Sequence, residues 1–176
     1  MIIRQARKAN TEEVRDIHLR AFSDDEKQMV SNLAVNLLSE QTSPPIISLV
    51  AEIGGVLTGH IAFSPVSILQ ENRWQGYILA PLGVLPEYQT RGVGKSLINH
   101  GIQQVSEMGV NTLFVYGDPK YYGRFGFKAD IASKFVPPYE LQYPFGWLAV
   151  ELHESNLEKV SMNISCVASL RDPLLW

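Results

Sequence analysis

The sequence predicts a mixed α/β fold, with helices packed on one central sheet in a single domain spanning residues 1–176. Three observations carry that reading. The apolar pattern switches along the chain from helical spacing to strand-like runs and back. The 176 residues suffice to bury one core and lie near the usual size of one domain. No repeat, low-complexity tract or linker divides them. Composition then excludes several classes. With 15 Lys plus Arg against 18 Asp plus Glu, the net charge is −3, without the basic surplus that phosphate-backbone binding needs. The single cysteine, Cys166, excludes an intrachain disulfide and a multi-thiolate zinc cluster. No stretch approaches the roughly 20 apolar residues of a membrane span. Met1-Ile2-Ile3-Arg4-Gln5 lacks a secretory pattern, so a cytoplasmic protein is expected.

Residues 2–6 read as a short strand. Asn10 with Glu13 is a capping-box-like pair opening a first helix, and Ser23 with Glu26 repeats the signature for a second. The second helix carries its apolar stripe on Val30, Leu33 and Leu37 and stops before Thr42-Ser43-Pro44-Pro45. Residues 46–53 and 56–64 are paired strands around the Gly54-Gly55 turn. Residues 70–76 are polar and reverse the chain again. Residues 77–84, apolar on both faces, form a central strand of an antiparallel meander. A long helix over 92–108 follows from the spacing of Val93, Leu97, Ile98, Ile102, Val105 and Met108, and Gly109 ends it. A buried strand at 112–116, a brief helix at 119–124, an aromatic and proline-rich loop at 135–145, and strands at 147–152 and about 162–168 complete the chain.

The most informative segment is Leu82-Gly83-Val84-Leu85-Pro86-Glu87-Tyr88-Gln89-Thr90-Arg91-Gly92-Val93-Gly94-Lys95-Ser96. A buried strand enters a tight turn, and glycines stand where a long helix begins. Backbone N–H groups at a helix start form an anion site, and Gly92 and Gly94 let a phosphate approach the backbone closely. Arg91 and Lys95 add charge there, so a diphosphate is the natural guest. The Walker pattern fails because position 89 is Gln, and the dinucleotide pattern fails because position 97 is Leu. A plain helix start does not explain two glycines that each weaken the helix by about 1 kcal/mol against alanine.

Gln89 to Gly94 matches the phosphate loop of the GNAT acyltransferase superfamily: Gln or Arg, two residues, Gly, one residue, Gly or Ala. The chain resembles that family over most of its length. Gly117-Asp118-Pro119 with Tyr121-Tyr122-Gly123-Arg124-Phe125-Gly126-Phe127 resembles a bacterial, YhbS-like subgroup of it. The resemblance implies the GNAT acyl-CoA N-acyltransferase fold, a mostly antiparallel twisted sheet with helices on both faces. It implies acetyl-CoA as co-substrate, no metal, and transfer of the acetyl group to a primary amine of a small molecule or peptide by direct attack. The backbone of Leu82, Gly83 and Val84 is then expected to pair with the pantetheine arm. A β-bulge in that strand, with a freed N–H of Leu82 or Gly83, is expected to polarise the thioester. The backbone of Gln89, Thr90, Arg91, Gly92, Val93, Gly94 and Lys95 holds the pyrophosphate. Tyr122 takes the family's tyrosine position, where a phenol protonates the leaving thiolate. A non-catalytic acyl-CoA sensor is the alternative. Closing strands in this family often pair between subunits, so the resemblance also implies a homodimer as an expectation.

Other residues are less specific. Tyr122 alternatively packs on Phe125 and Phe127, and Tyr121 is its nearest rival for the tyrosine role. His18 and His100 read as solvated, His153 as part of a turn, and His60 as structural or facing the acceptor. No histidines have ligand spacing. Cys166 reads as a buried, inert thiol in the last strand. Tyr139, Tyr143, Phe145 and Trp147 either line an acceptor pocket or form a core lid. Glu87 points to solvent, and the base that deprotonates the amine is unassigned.

Overall fold

Residues 1–69, 71–157 and 161–176 are described in the structure, a computed structural model. The chain forms two compact units, Met1–Phe63 with Ala80–Gly101 and Ser64–Leu79 with Ile102–Trp176.

In the first unit, β1 (Ile2–Gln5) pairs antiparallel with β2 (Ile47–Ile53), and β2 pairs antiparallel with β3 (Val56–Ile68). Gly54 and Gly55, at φ +59° and +82°, make the hairpin turn that joins β2 to β3. The strand order continues to β4 (Gly76–Val84), whose later residues belong to this unit. β3 runs past its expected end at residue 64 to Ile68.

Two helices, α1 (Thr11–Ala21) and α2 (Lys27–Ser39), connect β1 to β2. α2 is where its apolar stripe places it and α1 follows the Asn10–Glu13 signature, but neither expected cap forms. Asn10 stands at the cap of α1, yet its Oδ1 accepts from the Arg7 backbone N–H at 3.1 Å and the Arg4 guanidinium at 3.2 Å. Ser23 and Glu26 meet side chain to side chain at 3.3 Å, and α2 begins only at Lys27. Competing local partners took the oxygens that a capping box would use.

The core of this unit gathers Ala6, Val14, Ile17, Ala34, Val50, Leu57 and Leu85. Burial of each large apolar side chain contributes roughly 1.5–3 kcal/mol. Successive β3 residues face opposite ways, as strand geometry demands. His60 meets His18 of α1, whereas a Cβ on Gly59 would lie 2.9 Å from Val93 of α3 (Val93–Glu107). Helices therefore cover both faces of this unit's sheet.

In the second unit, β4 pairs parallel with β5 (Thr112–Tyr116), from Gly76↔Thr112 to Leu79↔Val115. The long connection through α3 is what parallel pairing requires. β5 pairs antiparallel with β7 (Trp147–Glu151). The sheet is thus mostly antiparallel, with this parallel pair beside the meander. After β5 come α4 (Pro119–Tyr122), a 3-10 turn at Gly123–Phe125, and α5 (Ala129–Ala132). β6 (Phe135–Val136) lies in the segment read as loop and pairs parallel with β8 (Met162–Ser165), which also pairs with the end of β3. Two residues of strand are too few to show a period of two.

Aromatic rings form the centre of this unit. Phe114 stacks on Trp147 at 5.1 Å and Trp74 on Phe135 at 5.5 Å. Each buried indole N–H has an acceptor: Thr112 for Trp74, the Phe135 carbonyl for Trp147 and the Leu170 carbonyl for Trp176. The expected reversal at 70–76 begins on Gln70, which lies outside the described residues; its remainder turns through a bond from the Trp74 N–H to the Glu71 carbonyl. Met108 falls after the helix and is exposed, and Gly109 follows at φ +81°. Cys166 is buried just beyond β8, not within it.

Candidate active site

The expected cofactor segment lies in the first unit. Leu82 and Val84 are half-buried and Gly83 buried near the end of β4. The Leu85 N–H then donates to the Thr58 carbonyl at 2.9 Å, and a 3-10 turn at Pro86–Tyr88 leads into the loop. The Gln89 side-chain amide reaches back to the Val84 carbonyl at 3.1 Å, tying the loop to the strand that feeds it. Sequence reading gave Gln89 a backbone role; its side chain has this structural one as well.

Thr90 and Gly92 both occupy the left-handed region, at φ +62° and +81°. For Thr90 that conformation costs about 1–2 kcal/mol. A Cβ on Gly92 would meet no protein atom within 4 Å, so within the chain itself the glycine answers to its backbone angle. The first helical bond runs from the Ser96 N–H to the Gly92 carbonyl at 2.9 Å. The N–H groups of Gly92, Val93, Gly94 and Lys95 thus stand ahead of the ladder, at the positive end of α3. Gln89, Thr90, Arg91, Gly92 and Lys95 are exposed, Gly94 is half-buried, and the Val93 side chain anchors the turn in the core. The Arg91 guanidinium sits 5.5 Å from the Tyr88 ring centroid, which holds its charge at the loop. Unbonded donors, a helix dipole and two exposed basic residues at one loop are features that suit an anion.

Behind β4 lies a feature the sequence reading missed. His18 is fully buried, not solvated. Val14, Ile17 and His18 share one face of α1 at spacings of three and four, a signal legible in the sequence once Val14 is placed in the core. His18 Nε2 lies 2.8 Å from His60 Nδ1, and His60 Nε2 lies 2.8 Å from Ser48 Oγ. Burial lowers the His18 pKa to about 3. It also holds His60 well below its usual value, with His18 adding to the effect. Both rings are neutral. Among the described residues, His18 Nδ1 has no hydrogen-bond partner. A Cβ on Gly83 would lie 2.7 Å from that nitrogen.

Tyr122 lies in the second unit. Asp118 caps α4 by accepting from the Lys120 N–H at 2.9 Å, and Pro119 takes the first helical position, so Asp118-Pro119 is a helix-start signal. Gly117 makes room for the ring, since a Cβ there would lie 2.5 Å from Tyr122 Cε2. The ring meets Phe127 and Tyr121 edge-on, while Phe125 packs on Tyr121 instead. Tyr122 is half-buried, and desolvation raises its phenol well above the usual value, with Tyr121 adding to the rise. Burial raises the Tyr121 phenol as well, with the Arg124 guanidinium, 4.6 Å from its ring centroid, opposing the rise.

Glu87 bonds Arg20 through both oxygens, at 2.9 and 3.0 Å. Its carboxyl is held below the usual range by a bond to its own backbone N–H and by Arg20. His100 is exposed, and His153 is exposed in the bend after β7, bonded to Ser106. The aromatic loop divides: Tyr139 and Trp147 pack on Trp176, whereas Tyr143 and Phe145 are exposed. Among the described residues, no three His, Cys, Asp or Glu side chains are grouped to hold a metal ion. Nor is any described helix long and apolar enough to cross a membrane.

Residues 2–129 match the family model of the acetyltransferase (GNAT) domain. The chain belongs to the GNAT family of acetyltransferases, to which its mixed fold and glycine loop already pointed. It is 37% identical over 136 residues to the uncharacterized N-acetyltransferase YjhQ of Escherichia coli (strain K12), covering 76% of this chain and 74% of that one. Among solved structures, it resembles the GNAT family N-acetyltransferase YhbS of Escherichia coli in complex with CoA. That likeness has a TM-score of 0.78 and 25% identity over 97% of this chain and 92% of the other. A GNAT acetyltransferase of Brucella melitensis in complex with acetyl-CoA superposes with a TM-score of 0.68 and 29% identity, over 96% of each chain.

Proposed function

We propose that this protein transfers the acetyl group of acetyl-CoA to a primary amine of a small molecule or peptide, by direct attack and without a covalent enzyme intermediate. The observation that carries the reading is the start of α3. There the N–H groups of Gly92, Val93, Gly94 and Lys95 precede the first helical bond, with Arg91 and Lys95 exposed beside them. Those donors suit a pyrophosphate, and related proteins of the same family bind CoA and acetyl-CoA.

Acetyl-CoA supplies an activated acyl group on a thiolate whose conjugate acid has a pKa around 8.5. Leu82, Gly83 and Val84 lie in β4 beyond its ladder with β5, which ends at Leu79. We assign their backbone to the pantetheine arm, and the N–H of Leu82 or Gly83 to the thioester carbonyl. Gln89, Thr90, Arg91, Gly92, Val93, Gly94 and Lys95 form the pyrophosphate cradle. Tyr122 is assigned as the proton donor to the departing thiolate on its place in the family motif. A phenol is already protonated at neutral pH, as a donor must be, and the rise that burial causes favours a hydrogen bond to the thiolate over complete proton transfer. Glu87, engaged by Arg20 and made less basic by that pairing, is a poor base.

Calorimetry with acetyl-CoA tests the cradle. Arg91→Glu combined with Lys95→Glu is expected to raise Kd by about tenfold or more, given roughly 1 kcal/mol for each charge contact; an unchanged Kd sinks the assignment. Thiol release from acetyl-CoA across a panel of amines and peptides separates an enzyme from an acyl-CoA sensor, which binds without turnover.

A further inference from the structure

The buried chain of His18, His60 and Ser48 has no part in the assignments above. It draws one residue each from α1, β3 and β2, all at most 4% exposed. A core can do without such a chain, because replacing both partners of a buried hydrogen bond by apolar groups of the same shape can be nearly neutral or stabilising. Its unpartnered atom, His18 Nδ1, carries an uncompensated desolvation cost, and such groups in folded proteins call for an explanation. That atom lies against Gly83, in the segment assigned to the acyl end of the co-substrate.

Two concerted tautomers satisfy both internal bonds. In one, His18 Nε2–H donates to His60 Nδ1, and His60 Nε2–H donates to Ser48 Oγ, which leaves a lone pair on His18 Nδ1. In the other, Ser48 donates to His60, His60 donates to His18, and His18 Nδ1 carries the hydrogen. Both rings are neutral in either arrangement, so the hydroxyl at one end sets the polarity presented to Gly83 at the other. Phe22 stacks on the His18 ring at 5.9 Å and Ile17 also contacts the Gly83 position, which limits how far the imidazole can turn away.

The geometry points to His18 as a positioning residue for the acyl end of acetyl-CoA, its ring seated against Gly83 and its tautomer set through His60 by Ser48. It holds the β4 backbone where Leu82 or Gly83 is assigned to the thioester carbonyl, and so rests on the acetyl-CoA reading. The test uses whole protein labelled with 15N-histidine, saturated first with CoA and then with acetyl-CoA. The His18 ring nitrogens are expected to shift with acetyl-CoA beyond their response to CoA, while remaining neutral. In thiol-release assays with the best amine of the panel, His18→Leu is expected to lose about tenfold in kcat, with KM for acetyl-CoA held within about threefold. His18→Asn, which keeps a polar amide on that side chain, should recover part of the loss. Wild-type kcat in His18→Leu overturns the proposal. If that variant does not fold, wild-type kcat in Ser48→Ala overturns it, as does a His18 ring that responds identically to CoA and acetyl-CoA. Failure of the wild-type protein to bind acetyl-CoA at all overturns the underlying reading instead.

Discussion

At the scale of single residues, Gly83 and His18 define one another. Because a Cβ at 83 would lie 2.7 Å from Nδ1 and 2.9 Å from Cε1 of a fully buried ring, Gly83→Ala must move either the strand or α1. Such overpacking costs roughly 1–3 kcal/mol, readable as a lower urea midpoint. The two buried histidines also make stability depend on pH. Unfolded imidazoles take up protons below about pH 6.5, whereas the folded His18 resists until about pH 3. The unfolded state therefore binds more protons across that window, and stability falls as pH falls through it. At pH 5 His18 alone accounts for about 2 kcal/mol. Urea melts at pH 7 and pH 5 should show His18→Leu losing less than wild type by about that amount, while carboxylate effects common to both cancel. Tyr122→Phe is expected to lower kcat by about a hundredfold with little change in acetyl-CoA affinity. A fully active Tyr122→Phe enzyme would assign the acid elsewhere.

Elements were legible where their patterns were long. The stripe of Val93, Leu97, Ile98 and Val105 predicted α3, and the residues bury as that spacing demands. The β2–β3 hairpin followed from Gly54-Gly55, and β5 from five residues of buried strand. Short elements and caps were not legible. β6 is two residues long, and Asn10 gave its oxygen to Arg4 and Arg7 instead of to its helix. For the loop before α3, the glycine spacing was readable but its closure was not: the Gln89 side chain bonds the Val84 carbonyl. Gln89→Ala should therefore weaken acetyl-CoA binding by about 1 kcal/mol, near one ordinary hydrogen bond, without changing the fold seen by circular dichroism. An unchanged Kd by calorimetry would show that the bond has no part in binding.

At the scale of the whole molecule, a net charge of −3 contrasts with the exposed pair Arg91 and Lys95 at one helix start. An attraction that local and that exposed is screened over a Debye length of roughly 8–10 Å at ordinary ionic strength. Acetyl-CoA affinity is therefore expected to weaken as salt is raised from 50 to about 500 mM, and the Arg91→Glu, Lys95→Glu variant should lose that dependence. The sequence by itself determined the class: the mixed α/β order, the glycine loop before a long helix, and the tyrosine motif that together mark a GNAT acetyltransferase. These are local features, written in spacing and residue type. The tertiary structure alone decided that His18 is buried, that it meets His60, which in turn meets Ser48, and that its Nδ1, without a partner among the described residues, faces Gly83. A contact between residues 18, 48, 60 and 83 leaves no periodic trace in a sequence, because it depends on how a helix and three strands are brought together and not on any one of them.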